Sequence, residues 1–280
     1  MTPLDLDQVI RAVRDLPSLP VIVMDLLETM DHDDASSTVL AQQISQDQAI
    51  AAKILRVANS SFYGMSHHVT TIGQAVSILG FSTVRALVTA ASISGAFIID
   101  PRSSFDFPRF WKHAVATALC AKYLAPLHRV ATDRAFITGL LHDIGQLVLT
   151  TRFPEAYAVV MQTCRSDDCS VVEAEHLVLQ IDHSTVGAAL AQHWRFPPSI
   201  QQAVLLHHAD SLHDDDPLIA LAQVANAIAH ALDLADDPME TVPEMATAAW
   251  QAVALDQATL ARILPLIEAE FFAISPILVG

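Results

Sequence analysis

An all-α protein built in two lobes is what this 280-residue sequence predicts, and three observations carry that expectation. Apolar residues recur at three- and four-residue steps along most of the chain, and no alternating strand pattern competes with them. Ala, Leu, Val and Ile abound while aromatic residues make up only 6%, a mix that suits tightly packed helices. The joints between periodic segments carry the caps and breakers with which helices start and stop.

Taken in order, the elements read as follows. MTPLDLDQVIRAVRD has acids and an amphipathic pattern where a secretion signal needs a basic start and an apolar run. LPSLP (16–20) breaks the chain before VIVMDLLETM, and the acidic DHDD with Ser36-Ser37 precedes TVLAQQIS. Asp47 is placed to cap QAIAAKILRVAN. NSSFYGMSHHVTT (59–71) is a polar loop holding Phe62 and Tyr63. IGQAVSILG and STVRALVTAASISGAFII are two more helices, the first closed by Gly80. DPRSSFDFP (100–108) is the expected linker, which sets a first lobe at 1–105 and a second at 106–280. The second lobe runs through FWKHAVATALCAKYLAPL, TDRAFITGLLHDIGQLVLT, EAYAVVMQTC, SVVEAEHLVLQ, HSTVGAALAQHW, PPSIQQAVLLHH and LIALAQVANAIAHALDL, with two helices to finish.

Charge and composition remove several function classes. A net charge of −16 with no cluster of Lys or Arg argues against binding a phosphate backbone. ALVTAASISGAFII (86–99) is shorter than the about 20 residues of a membrane span, so no membrane partner is expected. Three cysteines without CxxC spacing, Cys120, Cys164 and Cys169, fit a reducing, cytoplasmic setting.

Chemistry concentrates in the second lobe. Only His32, His67 and His68 precede residue 105, which leaves ten of the 13 histidines behind it. With GLLHDIGQLVL (139–149) and the Thr150 that follows read as one helix turning about 100° per residue, His142, Asp143, Gln146 and Thr150 form a polar arc opposite a wide apolar one. LIALAQVANAIAHALDL is apolar nearly all round except for Gln223, Asn226, His230 and Asp233, which share a stripe. Two buried helices with polar stripes imply one polar seam. His113, His183 and the pair His207-His208 are further candidates. Imidazole and carboxylate are the ordinary ligands of divalent transition metals, so Fe, Mn or Zn is the candidate cofactor, with a hydrogen-bonded core holding no metal as the alternative. His128, His176, His193 and His213 read as ordinary core or surface histidines.

These residues resemble a family. GLLHDIG, preceded by His113 and followed by His183 and His207-His208, is similar to the HD superfamily of metal-dependent phosphohydrolases. More closely, the chain resembles HDOD domains, the HD-related output domains of bacterial signalling proteins, over roughly residues 10–235. The additional motifs are LPSLP, ILRVANSSFYG, TIGQAVSILG, FWKHA, DHSTVGAALAQHW and FPPSIQQAVLLHH. The resemblance implies an HD-type helical bundle as the second lobe. It assigns His113, His142 and Asp143 to the first metal, and His183, His207 and His208 to the extra histidines of the cyclic-di-GMP phosphodiesterase branch. Gln146 and Asn226, at positions of the family pattern, and Gln223 and His230, from the polar stripe, are the residues expected around the pocket.

The chain departs from the active pattern at several points. Asn226 stands where the pattern has Asp, Gln146 where active relatives have Lys, and Ala209 where they have an acid; the Gly-Tyr-Pro signature is missing. The resemblance therefore implies a signalling output module that binds a protein partner or a ligand without turnover. A phosphohydrolase acting on a nucleotide or cyclic (di)nucleotide is the alternative. For a module of that kind, Asn59, Phe62 and Tyr63 are the candidate interaction surface, unless both rings turn inward between the lobes.

Overall fold

Capping chemistry decides where the first helices begin. The computed structural model describes residues 4–28, 37–65, 67–97, 105–210, 216–237, 241–243 and 246–279. His32, His213 and most of the expected linker lie outside them. Helix α1 (Leu6–Arg14) starts at Asp5, where Gln8 completes a capping box. Helices α2 (Val21–Glu28) and α3 (Ser37–Gln46) follow, then α4 (Gln48–Ala58), which Asp47 caps through the Ala49 and Ile50 amides. Thr71 and Gln74 box the start of α5 (Ile72–Leu79). Gly80, at φ 82°, separates α5 from α6 (Phe81–Ser94), a conformation that favours glycine.

The centre of the molecule is α7 (Phe107–Leu124), whose residues 114–121 are all buried. A helix apolar on every side must be surrounded. Its neighbours are α8 (Thr132–Leu141), α14 (Pro217–Leu232) and the C-terminal α16 (Gln257–Val279). Around this centre, α9 (Ile144–Arg152) packs on α12 (His183–His193), and α12 on α13 (Pro198–Leu206). Helices α10 (Pro154–Asp167) and α11 (Val171–Leu179) pair with each other, and α15 (Thr247–Val253) lies on α14. No strand occurs among the described residues. No single helix among them is long and apolar enough to cross a membrane.

The first six helices do not form a separate island. Helix α1 packs on α12 and α9, and α16 touches α4, α6 and α7. Between α6 and α8, the buried Arg85 guanidinium pairs with the buried Asp133 carboxylate.

Two glycines set how near α8 comes to α7 and α9 to α12. A Cβ on Gly139 would lie 2.7 Å from the Ala118 Cα in α7. One on Gly145 would lie 2.0 Å from the His183 carbonyl oxygen at the start of α12. Neither contact can be relieved by a side-chain rotation, because the opposing atoms are backbone. Gly145 thus brings the first turn of α9 directly against the helix end that carries His183.

Candidate metal centre

The His-Asp pair sits in a break, not on a continuous helix. Helix α8 ends at Leu141 and α9 begins at Ile144, which corrects the expectation of one helix through 139–149. Asp143 occupies the N-cap position of α9 with φ −98° and ψ 7°, yet its side chain makes no capping bond. Its two carboxylate oxygens turn to histidines instead, and the break is what allows one residue to face two groups at once.

On one side, Asp143 Oδ2 lies 3.2 Å from His142 Nε2 and 4.0 Å from His113 Nε2. His113 comes from the middle of α7, and its Nε2 is 3.0 Å from Asn226 Oδ1 on α14. On the other side, Asp143 Oδ1 lies 3.0 Å from His183 Nε2 and 3.3 Å from His207 Nε2. His208 Nε2 is 3.2 Å from His183 Nε2. Each side is tight enough to share one ion: in both sets, one donor atom per residue lies within 4.8 Å of all the others.

The far nitrogens of these rings settle which atom is free. His142 Nδ1 is 2.7 Å from the Gly139 carbonyl, and His207 Nδ1 is 2.7 Å from the Val204 carbonyl. A carbonyl can only accept, so Nδ1 carries the proton and Nε2 of the neutral ring keeps its lone pair. His183 Nδ1 is 2.7 Å from Glu175 Oε2, which also accepts the His183 backbone N–H at 2.8 Å. A carboxylate or carbonyl behind each imidazole is the arrangement that orients metal-ligating histidines.

The consequence is a cluster of facing lone pairs. His113 and His142 Nε2 are 3.3 Å apart, as are His183 and His207 Nε2, and of the rings facing Asp143 Oδ1 only His183 is placed to bring it a proton. Buried acceptors that outnumber their donors repel one another, and a cation between them removes the repulsion. The donor set is nitrogen and oxygen, which suits a divalent transition metal.

Electrostatics agree with the geometry. Burial pushes the His113 imidazole down to about 3, with the His230 and His142 charges adding to it. Burial likewise holds His207 and His208 below the ordinary histidine value. Burial works against the Asp143 carboxylate, yet the charges of His142 and His183 hold it well below the usual carboxylate range. His183 is the exception: burial lowers it, but Glu175 and Asp143 together hold it well above its ordinary value. An arriving dication would have to displace that proton.

Two cavities reach the cluster. One of about 530 Å³ is lined by His113, Asp143, Gln146, Thr150, Arg109 and Arg165, with His230 also in its wall. The other, about 260 Å³, touches His207, His208, Gln223 and Asn226. Gln223 donates to the Leu206 and Ala209 carbonyls and so fixes the turn that carries His207 and His208. The His230 ring stands 4.3 Å from that of His113. Gln223, Asn226 and His230 therefore meet the His-Asp break in one seam. Asp233 ends α14 instead, accepting from the Asp237 amide.

Asn59, Phe62 and Tyr63 lie apart from the seam. The Asn59 amide bonds the Leu55 and Val69 carbonyls and accepts the Val69 N–H, so it closes its own loop. The Tyr63 hydroxyl turns inward to Glu270 at 3.2 Å, and Phe62 packs edge-on against Tyr63. The residue that sequence reasoning missed is Glu175, fully buried on α11. Its signal was positional: it sits four residues before buried Leu179, while Glu173 of the same helix is exposed.

With this geometry in view, the sequence matches the HDOD domain family over residues 16–210. The chain belongs to that family. The fold agrees with an HDOD domain protein of unknown function from Geobacter sulfurreducens, at TM-score 0.81 and 19% identity over 98% of this chain and 99% of that one. A provisionally named phosphohydrolase from Shewanella amazonensis SB2B superposes at TM-score 0.77 with 26% identity, covering 96% of this chain and 97% of that one. An uncharacterized protein of Treponema pallidum is 26% identical over 238 residues, 82% of this chain but 45% of the relative's length. Asn226 lies beyond the stretch that defines the HDOD domain.

Proposed function

We propose that this HDOD protein is a bacterial signal-transduction output module that holds a divalent transition metal and works by binding, without turnover. The observation that carries the reading is the convergence of four imidazole Nε2 atoms on the two oxygens of Asp143, with His208 completing one of the two sets. His113, His142 and Asp143 would hold one ion, and Asp143, His183, His207 and His208 a second. A bound ion supplies fixed positive charge and Lewis acidity at the base of the larger cavity.

What the chain's own residues do there favours binding. Asn226 brings a neutral carboxamide to His113 where an anion would strengthen the site. Gln146 presents an amide to the larger cavity, with no ammonium to stabilise developing phosphoryl charge. Ala209 carries no group that could move a proton. The module then acts on a signalling protein partner in the cytoplasm, through a state that differs with occupancy of the seam.

A second reading is a phosphohydrolase acting on a nucleotide or cyclic (di)nucleotide. Its specific support is that Arg109 and Arg165 line the same cavity as Asp143. The separating experiment is elemental analysis of the purified chain, followed by assays with a cyclic dinucleotide and a simple phosphate ester in added Mn²⁺ or Fe²⁺. Bound metal without turnover is expected. Hydrolysis that disappears in Asp143→Ala would establish the second reading, and a chain that retains no metal would end both.

A further inference from the structure

Away from the histidines, the turn between α10 and α11 brings together two groups that no part of the proposed function uses. Helix α10 stops because Asp168 adopts the left-handed conformation, at φ 50° and ψ 48°, and donates its N–H to the Cys164 carbonyl. The next residue, Cys169, donates to the same carbonyl at 3.4 Å. This six-to-one bond marks a helix end of the Schellman kind. There the residue after the left-handed position folds back on the residue one turn before it, normally as an apolar contact. In this chain both of those residues are cysteines.

The pairing has the reach and access that a disulfide needs. With N and O 3.4 Å apart, standard bond lengths cap the Cα–Cα separation at about 7.3 Å in the fully extended case, and the back-folded turn brings the two atoms nearer. Disulfides bridge Cα atoms about 4.4–6.8 Å apart. Both thiols are free and half-buried, whereas Cys120 is buried in α7. The Cys164 thiol contacts the Ser170 carbonyl at 3.7 Å. Burial pushes it up to about 11, with the Cys169 and Glu175 charges adding to the effect.

We infer that Cys164 and Cys169 form a reversible dithiol–disulfide pair that exchanges with low-molecular-weight disulfides. Cys169 reacts first, since Cys164 keeps its proton at neutral pH. The Cys169 thiolate attacks one sulfur of the small disulfide, and the departing thiolate takes up the proton that Cys169 released. Bonding the Cys169 sulfur removes one of the two charges that add to burial in opposing ionisation of Cys164. The Cys164 thiolate then attacks the Cys169 sulfur, and the second small thiol leaves with the Cys164 proton. Two protein thiols are oxidised to one disulfide, and one small disulfide is reduced to two thiols. The turn is well placed to report that state: it carries Arg165 and Val171 into the wall of the larger cavity, and α11 continues to Glu175.

The test uses the full chain in excess oxidised glutathione, quenched with acid and mapped by mass spectrometry without reduction. An internal link between the peptides of Cys164 and Cys169 is expected, with Cys120 unmodified and full reversal by dithiothreitol. Cys164→Ser should trap a stable glutathione adduct on Cys169. A folded wild-type chain that stays fully reduced, or that accumulates stable adducts with no internal link, overturns the assignment.

Discussion

Two buried carboxylates in this molecule are solved in opposite ways. Glu270, on α16, accepts Lys122 Nζ at 2.7 and 2.9 Å, the Tyr123 hydroxyl at 2.9 Å and the Tyr63 hydroxyl at 3.2 Å. Every partner can donate, and a cation balances the charge. Asp143 is faced by His142 and His207, whose protons are committed to the Gly139 and Val204 carbonyls, and it receives a proton only from His183, which Glu175 shares. The first arrangement is complete as protein. The second is complete only with a cation added, and that difference separates a structural carboxylate from a ligand-holding one when both are hidden from water.

Breaking the structural carboxylate should produce the largest change. Glu270→Ala strands Lys122 and two hydroxyls at the junction of α7, α16 and the Tyr63 loop. A loss of about 3 kcal/mol is expected, at the low end for a broken buried pair because Lys122 still reaches some water. Urea unfolding measures it, and metal retained per chain should not change. A metal loss equal to that of an Asp143 variant would erase the distinction drawn between the two carboxylates.

Asp143→Ala should do the reverse. Both metal positions share this residue, so affinity should fall by more than about 100-fold, the upper range for changes behind the ligands. Isothermal titration with Mn²⁺ or Zn²⁺ reads the loss. The unfolding midpoint of the metal-free protein should move less than in Glu270→Ala, since only the His183 Nε2–H loses its acceptor and Glu175 still balances that ring. A collapse of the metal-free fold would make Asp143 a structural residue like Glu270.

Glu175→Gln sharpens the comparison by altering one side of the cluster only. The carboxamide can still accept the His183 amide but no longer draws the imidazole proton as strongly. Affinity of the Asp143, His183, His207 and His208 side should fall by about 10–100-fold. The His113 and His142 side should keep its own, which a two-site titration resolves as one shifted transition and one fixed. An equal shift in both would assign Glu175 to general support of the fold.

How much of this was legible in the sequence depended on where the chemistry resides. The helical class followed from periodicity, and the histidines with Asp143 stood out because their side chains have no bland place on a buried helix. Asn226 and His230 could be joined to them because a stripe on one helix is a local pattern. The break at 142–143 was not visible, since a residue-by-residue rotation assumes the helix it is measuring. Glu175 was hidden for a different reason. An acid in an amphipathic helix looks solvated until a partner eight residues away in the chain turns back onto it. Nor could 207 residues of separation disclose that Tyr63 meets Glu270, because such contacts exist only after α16 has docked.

That last contact also yields the smallest expected effect and the finest test. Tyr63→Phe keeps the ring, its edge-on packing with Phe62 and the volume of the loop, and deletes only the hydroxyl that reaches Glu270. Glu270 keeps three of its four bonds, from Lys122 and Tyr123. The loss should therefore be about 1.5 kcal/mol, the lower value for a hydrogen bond to a charged group. Against a Glu270→Ala background the same substitution should cost almost nothing, since the acceptor is already gone. A double-mutant cycle in urea gives the coupling directly. No loss in either background would mean that Tyr63 works through its ring alone, and the loop would then be free to use that ring on a partner. Strong coupling ties it to the core, and leaves Met65, which is 43% exposed, as the apolar group that the loop presents to solvent.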